Sequence, residues 1–179
     1  MDKVIWTPRL DVPTLGELDK IRPKVTVLNC WNAEKFRLPV PVISFNEWNG
    51  LEPGERHTYP LGSHHVDVQR IYCDDVEDQI DASYRLFDYI DAIKIISFLD
   101  KYRGQDIMVH CAAGVSRSPA CAKFMVEYLG YRLDEFNSSS TFFDRHNTHI
   151  YYTLKRAMLD HTATILRIVE ANHGKEKEA

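Results

Sequence analysis

The segment from 106 to 130 constrains the fold of this chain more than any other. It opens with the apolar run DIMVHC (106–111) and continues through the small residues AAGVS to an arginine and a Ser-Pro pair. The shortness of the run and its content of apolar residues favour a buried strand. Ser118 is a favourable N-cap, Pro119 a favourable first helical residue and Gly130 a favourable terminator. The sequence therefore predicts a strand, a tight loop and a helix in direct succession.

Further short apolar runs predict the rest of a sheet. They are rich in β-branched residues and shorter than typical helices, and they lie at 25–30, 40–45 and 65–73, with a shorter candidate at 4–6. A strand-rich first half followed by a strand–loop–helix unit is typical of an α/β domain. We therefore predict an α/β fold with a central, mostly parallel sheet of four to five strands flanked by helices. The chain length suits one domain over residues 1–172, with a frayed tail at 173–179.

Helical periodicity marks two longer segments. Apolar residues at helical spacing predict a helix over about 81–102, with Asp81 as its cap. A second helix is predicted over about 148–172, and short helical pieces within 133–145. The segment 46–63 is rich in glycine, proline and polar residues, which predicts a long surface loop that borders a binding site.

The net charge and the lengths of the apolar runs argue against nucleic acid and membranes as partners. The formal net charge of −4 argues against a protein that binds nucleic acid by general attraction to phosphates. The sequence holds no apolar run long enough to cross a bilayer, and its N-terminus lacks the apolar core of a signal peptide. We therefore expect a cytoplasmic protein with no membrane partner.

The cysteine and histidine patterns predict neither a metal site nor a disulfide. None of the 4 cysteines forms a CxxC pair or has zinc-finger spacing with histidine. Cys30, Cys73 and Cys121 lie in apolar surroundings, which predicts core positions. The 8 histidines have no acidic partner at a metal-binding spacing, so we expect them to be solvated or structural, and we expect no cofactor.

The loop after the predicted strand has the features of an anion site. Backbone N–H groups in such a loop can turn inward, and the first turn of the following helix leaves further N–H groups without partners. The helix dipole adds a partial positive charge at the same place. The loop side chains are small or short and leave room for an anion: Ala112, Ala113, Gly114, Val115 and Ser116. Arg117 then supplies a planar fork that holds two oxygens, so the sequence predicts a phosphate site.

The same surroundings make Cys111 a candidate nucleophile. A thiol beside a cation at a helix N-terminus can have its pKa lowered from about 8.5 to roughly 3.5–7.5. Ser118 is placed to donate a hydrogen bond to the sulfur and to help it leave in a second step. We expect His110 to orient the loop through backbone hydrogen bonds, because a thiolate needs no base.

The stretch HCAAGVSRS (110–118) resembles the His-Cys-x5-Arg-Ser/Thr signature of the protein tyrosine phosphatases. Its AAGVSRS form is most similar to the dual-specificity branch and its compact bacterial and phage relatives. The resemblance implies hydrolysis of phosphorylated protein or peptide through a cysteinyl-phosphate intermediate, without metal. It follows the order of elements over about 40–157, with close identity of motif only at 110–119.

A phosphatase of this kind also needs an acid to protonate the leaving oxygen. The stretch IYCDDVEDQIDASY offers four aspartates upstream of the loop. The position of the acid in dual-specificity relatives favours Asp75, with Asp74 as the alternative. The same resemblance implies that Asn147 binds the phosphate loop and holds it in shape, although His146 stands where the family usually has proline. An ordinary cap of the last helix is a compatible role for this asparagine.

Other functions remain open from the sequence. Phosphotyrosine is the leading substrate, with phosphoserine and phosphothreonine as further candidates. Phosphoinositide phosphatases of this fold tend to carry lysines inside the loop, which AAGVS lacks, and RNA 5′-phosphate is disfavoured by the net charge. Further alternatives are a non-catalytic phosphopeptide-binding module and a redox protein in which Cys73 and Cys111 form a reversible disulfide.

Overall fold

The computed structural model describes residues 21–48, 57–137, 139 and 141–176, with side chains up to 164. In these ranges five strands form one parallel sheet in the order β3-β2-β4-β1-β5. The strands are β1 (Lys24–Asn29), β2 (Val42–Asn46), β3 (Val68–Tyr72), β4 (Ile107–Cys111) and β5 (Arg132–Leu133). The predicted α/β class with a central parallel sheet is confirmed.

Helices cover both faces of the sheet. They are α1 (Cys30–Lys35), α2 (Tyr89–Lys101), α3 (Arg117–Tyr128) and α4 (Thr148–Glu176), with a short 3-10 helix at Glu135–Asn137. Alternating residues of β4 show the two layers, since Ile107 and Val109 belong to the main core on the side of α2, α3 and α4. Met108 instead packs with Ala33 of α1 in a smaller cluster. A strand buried on both faces explains the uninterrupted apolar run that the sequence shows here.

The central position of β4 determines where the site lies. It is paired with β1 on one side and β2 on the other, and Cys111 is aligned with Asn29 at the carboxyl end of β1. All the strands run in the same direction, so the segments that follow them lie at one edge of the sheet. Ligands of open α/β sheets bind at this edge.

Helix α2 begins later than predicted. Its first residue is Tyr89, because Asp88 caps the helix and forms a reciprocal capping box with Asp91. The predicted cap Asp81 is wrong, since its carboxylate accepts hydrogen bonds from the backbone and hydroxyl of Ser83 in a turn. Phe87, which suggested a helical face, is buried from the extended segment before the helix.

The predicted start of helix α3 is also wrong, by two residues. The helix begins at Arg117 with Ser116 at the N-cap position, so Ser118 and Pro119 are its second and third residues. Proline is tolerated throughout the first turn, because those N–H groups have no partner within the helix. The predicted terminator is in place, since Gly130 has φ 74°.

Several further elements differ from the sequence-based expectation. Helix α1 was not predicted. Of the short helical pieces expected within 133–145, the described residues contain the 3-10 helix, with part of β5 and turns around it. The backbone of α4 continues to Glu176, past the expected boundary at 172. The candidate strand at 4–6 lies outside the described residues, as does the centre of the 46–63 loop. None of the described helices is both long enough and apolar enough to cross a membrane.

Candidate active site

The residues between β4 and α3, 112–116, form a tight loop that we call the cysteine loop. It rests on the end of β1, where the backbone N–H of Cys30 donates to the carbonyl of Ala112 at 3.1 Å. Gly114 has φ 72°, and a Cβ added there would lie 2.9 Å from backbone atoms of Leu28 and Asn29. Glycine is therefore required at 114 both for its backbone conformation and for its close approach to β1.

Cys111 is the last residue of β4, and its sulfur faces two hydrogen-bonding groups. The Sγ atom lies 3.1 Å from the hydroxyl oxygen of Ser118 and accepts the backbone N–H of Gly114 at 3.2 Å. The side chain is buried, with 2% of the residue exposed. A thiolate nucleophile would find two donors here, and the proposed partner Ser118 is one of them.

Arg117 is buried at the start of α3, and most of its guanidinium is occupied. Its Nη1 donates to the carbonyl of Cys73 at 2.7 Å and to that of Asn46 at 3.3 Å, and its Nη2 forms an ion pair with Glu47. Burial lowers the pKa of Arg117, but the charge of Glu47 and the hydrogen bond to it raise the pKa by more, so the group stays cationic. The Nε atom is buried without a hydrogen-bond partner.

Glu47 is a site residue that the sequence reasoning missed. It follows β2 at the carboxyl edge of the sheet, binds Arg117 and accepts the hydroxyl of Tyr59 at 3.0 Å. Burial and the negative charge of Glu47 raise the pKa of Tyr59 above its usual value. Its position directly after a predicted strand is the one signal that could have drawn attention to it, because segments after parallel strands meet at this edge.

The two candidate acids occupy different surroundings. Asp74 is buried, and its carboxylate accepts the backbone N–H groups of Trp48 at 3.3 Å and of Arg85 at 2.8 Å. Asp75 is exposed, and its Oδ1 accepts the hydroxyl of Ser116 at 2.7 Å. Asp75 therefore lies at the rim of the cysteine loop, whereas Asp74 holds the surrounding backbone together.

Asn147 links three parts of the site. Its backbone N–H donates to the carbonyl of Ser116 at 3.2 Å, and its Nδ2 donates to Oδ1 of Asp75 at 3.1 Å and to the carbonyl of Val76 at 3.2 Å. Its Oδ1 accepts the N–H of Ile150 at 3.0 Å and so caps α4. The residue thus contacts the loop through its backbone, while its side chain serves the acid and the helix.

His110 does not make the hydrogen bonds expected of it. It is fully buried, and neither ring nitrogen has a hydrogen-bond partner. Burial lowers its pKa to about 4, helped by the charges of Arg70, His65 and Arg117. The imidazole packs edge-on against the ring of Tyr59 at a centroid distance of 6.1 Å. It therefore supports the site by packing as a neutral ring.

The cysteines other than Cys111 are free thiols in different surroundings. All four cysteines are free, and burial raises the pKa of Cys73 and of Cys121. Among the described residues no group of histidine, cysteine and acidic side chains is arranged to hold a metal ion. A cavity of about 620 Å³ is lined by Trp48, Arg85 and His149 among others, and neither Cys111 nor Arg117 lines it.

Comparison with known proteins adds no relative to this description. The chain matches no family model, no curated protein and no solved structure. The functional conclusion therefore depends on the chemistry of the site.

Proposed function

We propose that this protein is a metal-independent phosphomonoester hydrolase that works through a cysteinyl-phosphate intermediate. The observation that carries the proposal is the pairing of groups at the two ends of the cysteine loop. At one end the sulfur of Cys111 faces the Ser118 hydroxyl and the Gly114 N–H. At the other end Arg117 is a buried cation whose Nε lacks a partner. A bound phosphate would supply that partner and accept the remaining N–H groups of the loop.

In the first step the Cys111 thiolate attacks phosphorus while the bond to the leaving oxygen breaks. The electron pair of that bond goes to the oxygen, which takes a proton from the carboxyl group of Asp75. The loop N–H groups and Arg117 stabilise the equatorial oxygens, whose charge they meet in a fixed geometry. The phosphoryl group is then attached to sulfur.

In the second step water attacks the phosphorus of the cysteinyl phosphate. The Asp75 carboxylate takes a proton from the water, and the electron pair of the S–P bond returns to sulfur. Ser118 donates a hydrogen bond to the departing thiolate at the position where its hydroxyl already lies 3.1 Å from Sγ. Inorganic phosphate leaves, and Asp75 is again protonated for the next turnover.

We propose phosphotyrosine in proteins as the substrate, with phosphoserine and phosphothreonine as further candidates. The side chains of Ala113 and Val115 at the loop surface are uncharged, so the loop offers no cation for a second phosphate of a phosphoinositide. The cytoplasm remains the expected compartment, and its reducing conditions would keep the Cys111 thiol free.

Hydrolysis of p-nitrophenyl phosphate and of a phosphotyrosine peptide, each with a chelator present, tests the proposal. We expect turnover by the wild-type chain and at least about a 10³-fold loss in Cys111→Ser, because serine is a far weaker nucleophile at neutral pH. The matched control is Cys121→Ser, which replaces a buried cysteine of α3. Turnover that survives Cys111→Ser, or that the chelator abolishes, would refute the mechanism.

A further inference from the structure

We propose that Ser116 and Asn147 hold the general acid Asp75 in its working position before any substrate binds. The inference rests on the proposed function and assigns the two residues as positioning groups. Both donate to the same carboxylate oxygen, Oδ1, at 2.7 Å from Ser116 Oγ and 3.1 Å from Asn147 Nδ2. The other oxygen, Oδ2, then carries the proton that the leaving group receives.

The side chain of Ser116 has a different role from the one its place in the fold suggests. It stands at the N-cap of α3, where a serine hydroxyl normally accepts an N–H of the first helical turn. This cap hydrogen bond is absent, and the hydroxyl donates to Asp75 instead. The first-turn N–H groups of α3 are therefore not taken up by Ser116, and the hydroxyl connects the loop to the acid.

The side-chain amide of Asn147 uses both its nitrogen and its oxygen in hydrogen bonds. One amide hydrogen goes to Asp75 and the other to the carbonyl of Val76, while the amide oxygen caps α4. The residue itself is 2% exposed, and its hydrogen bonds to Asp75 and Val76 are partly buried. The segment that carries the acid is thereby tied to the start of α4, and through the carbonyl of Ser116 to the cysteine loop.

Asp74 and Asp75 are neighbours in sequence, but their carboxylates receive hydrogen bonds of different kinds. Asp74 is buried and its carboxylate oxygens accept backbone N–H groups, as expected of a carboxylate that stabilises a turn. Asp75 is exposed and receives its hydrogen bonds from two side chains of other elements. Within the described part of the chain, both of its hydrogen bonds are to Oδ1 and none is to Oδ2. Hydrogen bonds to Oδ1 fix the orientation of the carboxyl group, and Oδ2 can still carry the proton and transfer it.

Two variants each remove one donor to Asp75, and Asn147→Ser also removes the hydrogen bond to the carbonyl of Val76. Ser116→Ala loses a hydroxyl that makes no cap bond. Asn147→Ser loses the Nδ2 donor but keeps an oxygen suited to cap α4, since serine is a favourable N-cap. Thr148→Val is the matched control, because its hydroxyl binds Glu77 of the same acid-bearing segment at 3.0 Å without contacting Asp75.

The readout is the dependence of kcat/KM on the leaving group, because kcat/KM reports the step in which that group departs and does not include the second step, where Asp75 acts as the base. General acid catalysis contributes about 10²–10⁴-fold and matters most when the leaving oxygen is basic. We expect Ser116→Ala and Asn147→Ser to lose about tenfold or more with phenyl phosphate, and less than about threefold with an aryl phosphate whose phenol is strongly acidic. Asp75→Asn should show the same pattern with larger losses, and Thr148→Val should match the wild-type chain.

The possible outcomes distinguish failure of this inference from failure of the proposed function. Equal losses with both leaving groups would assign the two residues a merely structural role, and no loss with either would show that Asp75 needs no positioning. Both results overturn this inference while leaving the proposed function intact. Absence of Cys111-dependent turnover in the wild-type chain would overturn the proposed function and this inference with it.

Discussion

At the scale of the residue, burial determines how each charged or titratable group of the site behaves. A buried guanidinium is tolerated only when acceptors replace its hydration. Arg117 meets this requirement through two backbone carbonyls and Glu47, although its Nε is buried without a hydrogen-bond partner. His110 is buried as a neutral group instead, because its ring nitrogens have no hydrogen-bond partner and burial lowers its pKa.

Replacing Glu47 with glutamine should destabilise the protein and strengthen its response to an oxyanion. The variant leaves Arg117 buried without its counter-charge, which we expect to cost about 1–3 kcal/mol of unfolding free energy. Vanadate, as a phosphate mimic, should restore more stability to the variant than to the wild-type chain, as measured by urea unfolding. The control is Asp100→Asn, which breaks the exposed ion pair with Arg103 and should change stability by less than about 0.5 kcal/mol. Equal stability of both variants would contradict the assignment.

The protonation of His110 should make the protein less stable in acid. Its pKa in the folded state is about 4, below the ordinary value of 6.5, so the unfolded chain binds more protons between these values. The stabilising contribution is complete above pH 6.5 and is lost as pH falls towards 4, by about 3 kcal/mol in total. Urea unfolding of His110→Gln should show a shallower loss of stability over that interval than the wild-type chain. Parallel curves would mean that His110 titrates normally.

At the scale of the element, the strand–loop–helix unit could be predicted because its signals are local. The apolar run, the small residues and Gly130 all act within a few positions of one another, and β4, the loop and α3 follow one another as expected. The helix starts could not be placed, because several residues compete as caps. Helix α2 is capped by Asp88, which forms a capping box with Asp91, and not by Asp81. The hydroxyl of Ser118 contacts the sulfur of Cys111 and does not cap α3.

Two glycines with the same backbone conformation allow a matched test of the cysteine loop. Gly114 has φ 72° and Gly130 has φ 74°, but only an added Cβ at 114 would meet backbone, at 2.9 Å. Gly130→Ala should cost only the strain of a left-handed residue, about 1–2 kcal/mol. Gly114→Ala should cost more and should reduce turnover by about tenfold or more, because the loop must move off β1. Equal stability and turnover in the two variants would show that the contact with β1 does not shape the site.

At the scale of the whole molecule, the sheet order gathers the site from distant parts of the chain. Because β4 lies between β1 and β2, the segments after β2, β3 and β4 meet at one edge. Arg117 and Glu47 are 70 positions apart in sequence, and Asp75 is 72 positions from Asn147. An oxyanion bound there should stabilise the fold as a unit.

Thermal unfolding with and without vanadate measures this coupling. A ligand present at 100 times its Kd stabilises the folded state by about 2.7 kcal/mol, so the Tm of the wild-type chain should rise. Arg117→Lys should lose most of this rise, because lysine has no counterpart of the buried Nε that we expect to bind the anion. Arg156→Lys is the matched control, since Arg156 is an exposed arginine of α4 whose side chain is 80% accessible. A rise that persists in Arg117→Lys would place the anion elsewhere.

The sequence by itself determined the α/β class, the order of strand, loop and helix, and the chemical character of Cys111, Arg117 and the small residues between them. These properties depend on local periodicity and on side chains a few positions apart. Only the tertiary structure distinguished the surroundings of Asp74 and Asp75, brought Glu47 to Arg117 and joined Asn147 to Asp75. Those contacts arise because parallel strands bring the ends of distant segments to one edge, and the choice of partner there depends on burial and geometry that no local pattern contains.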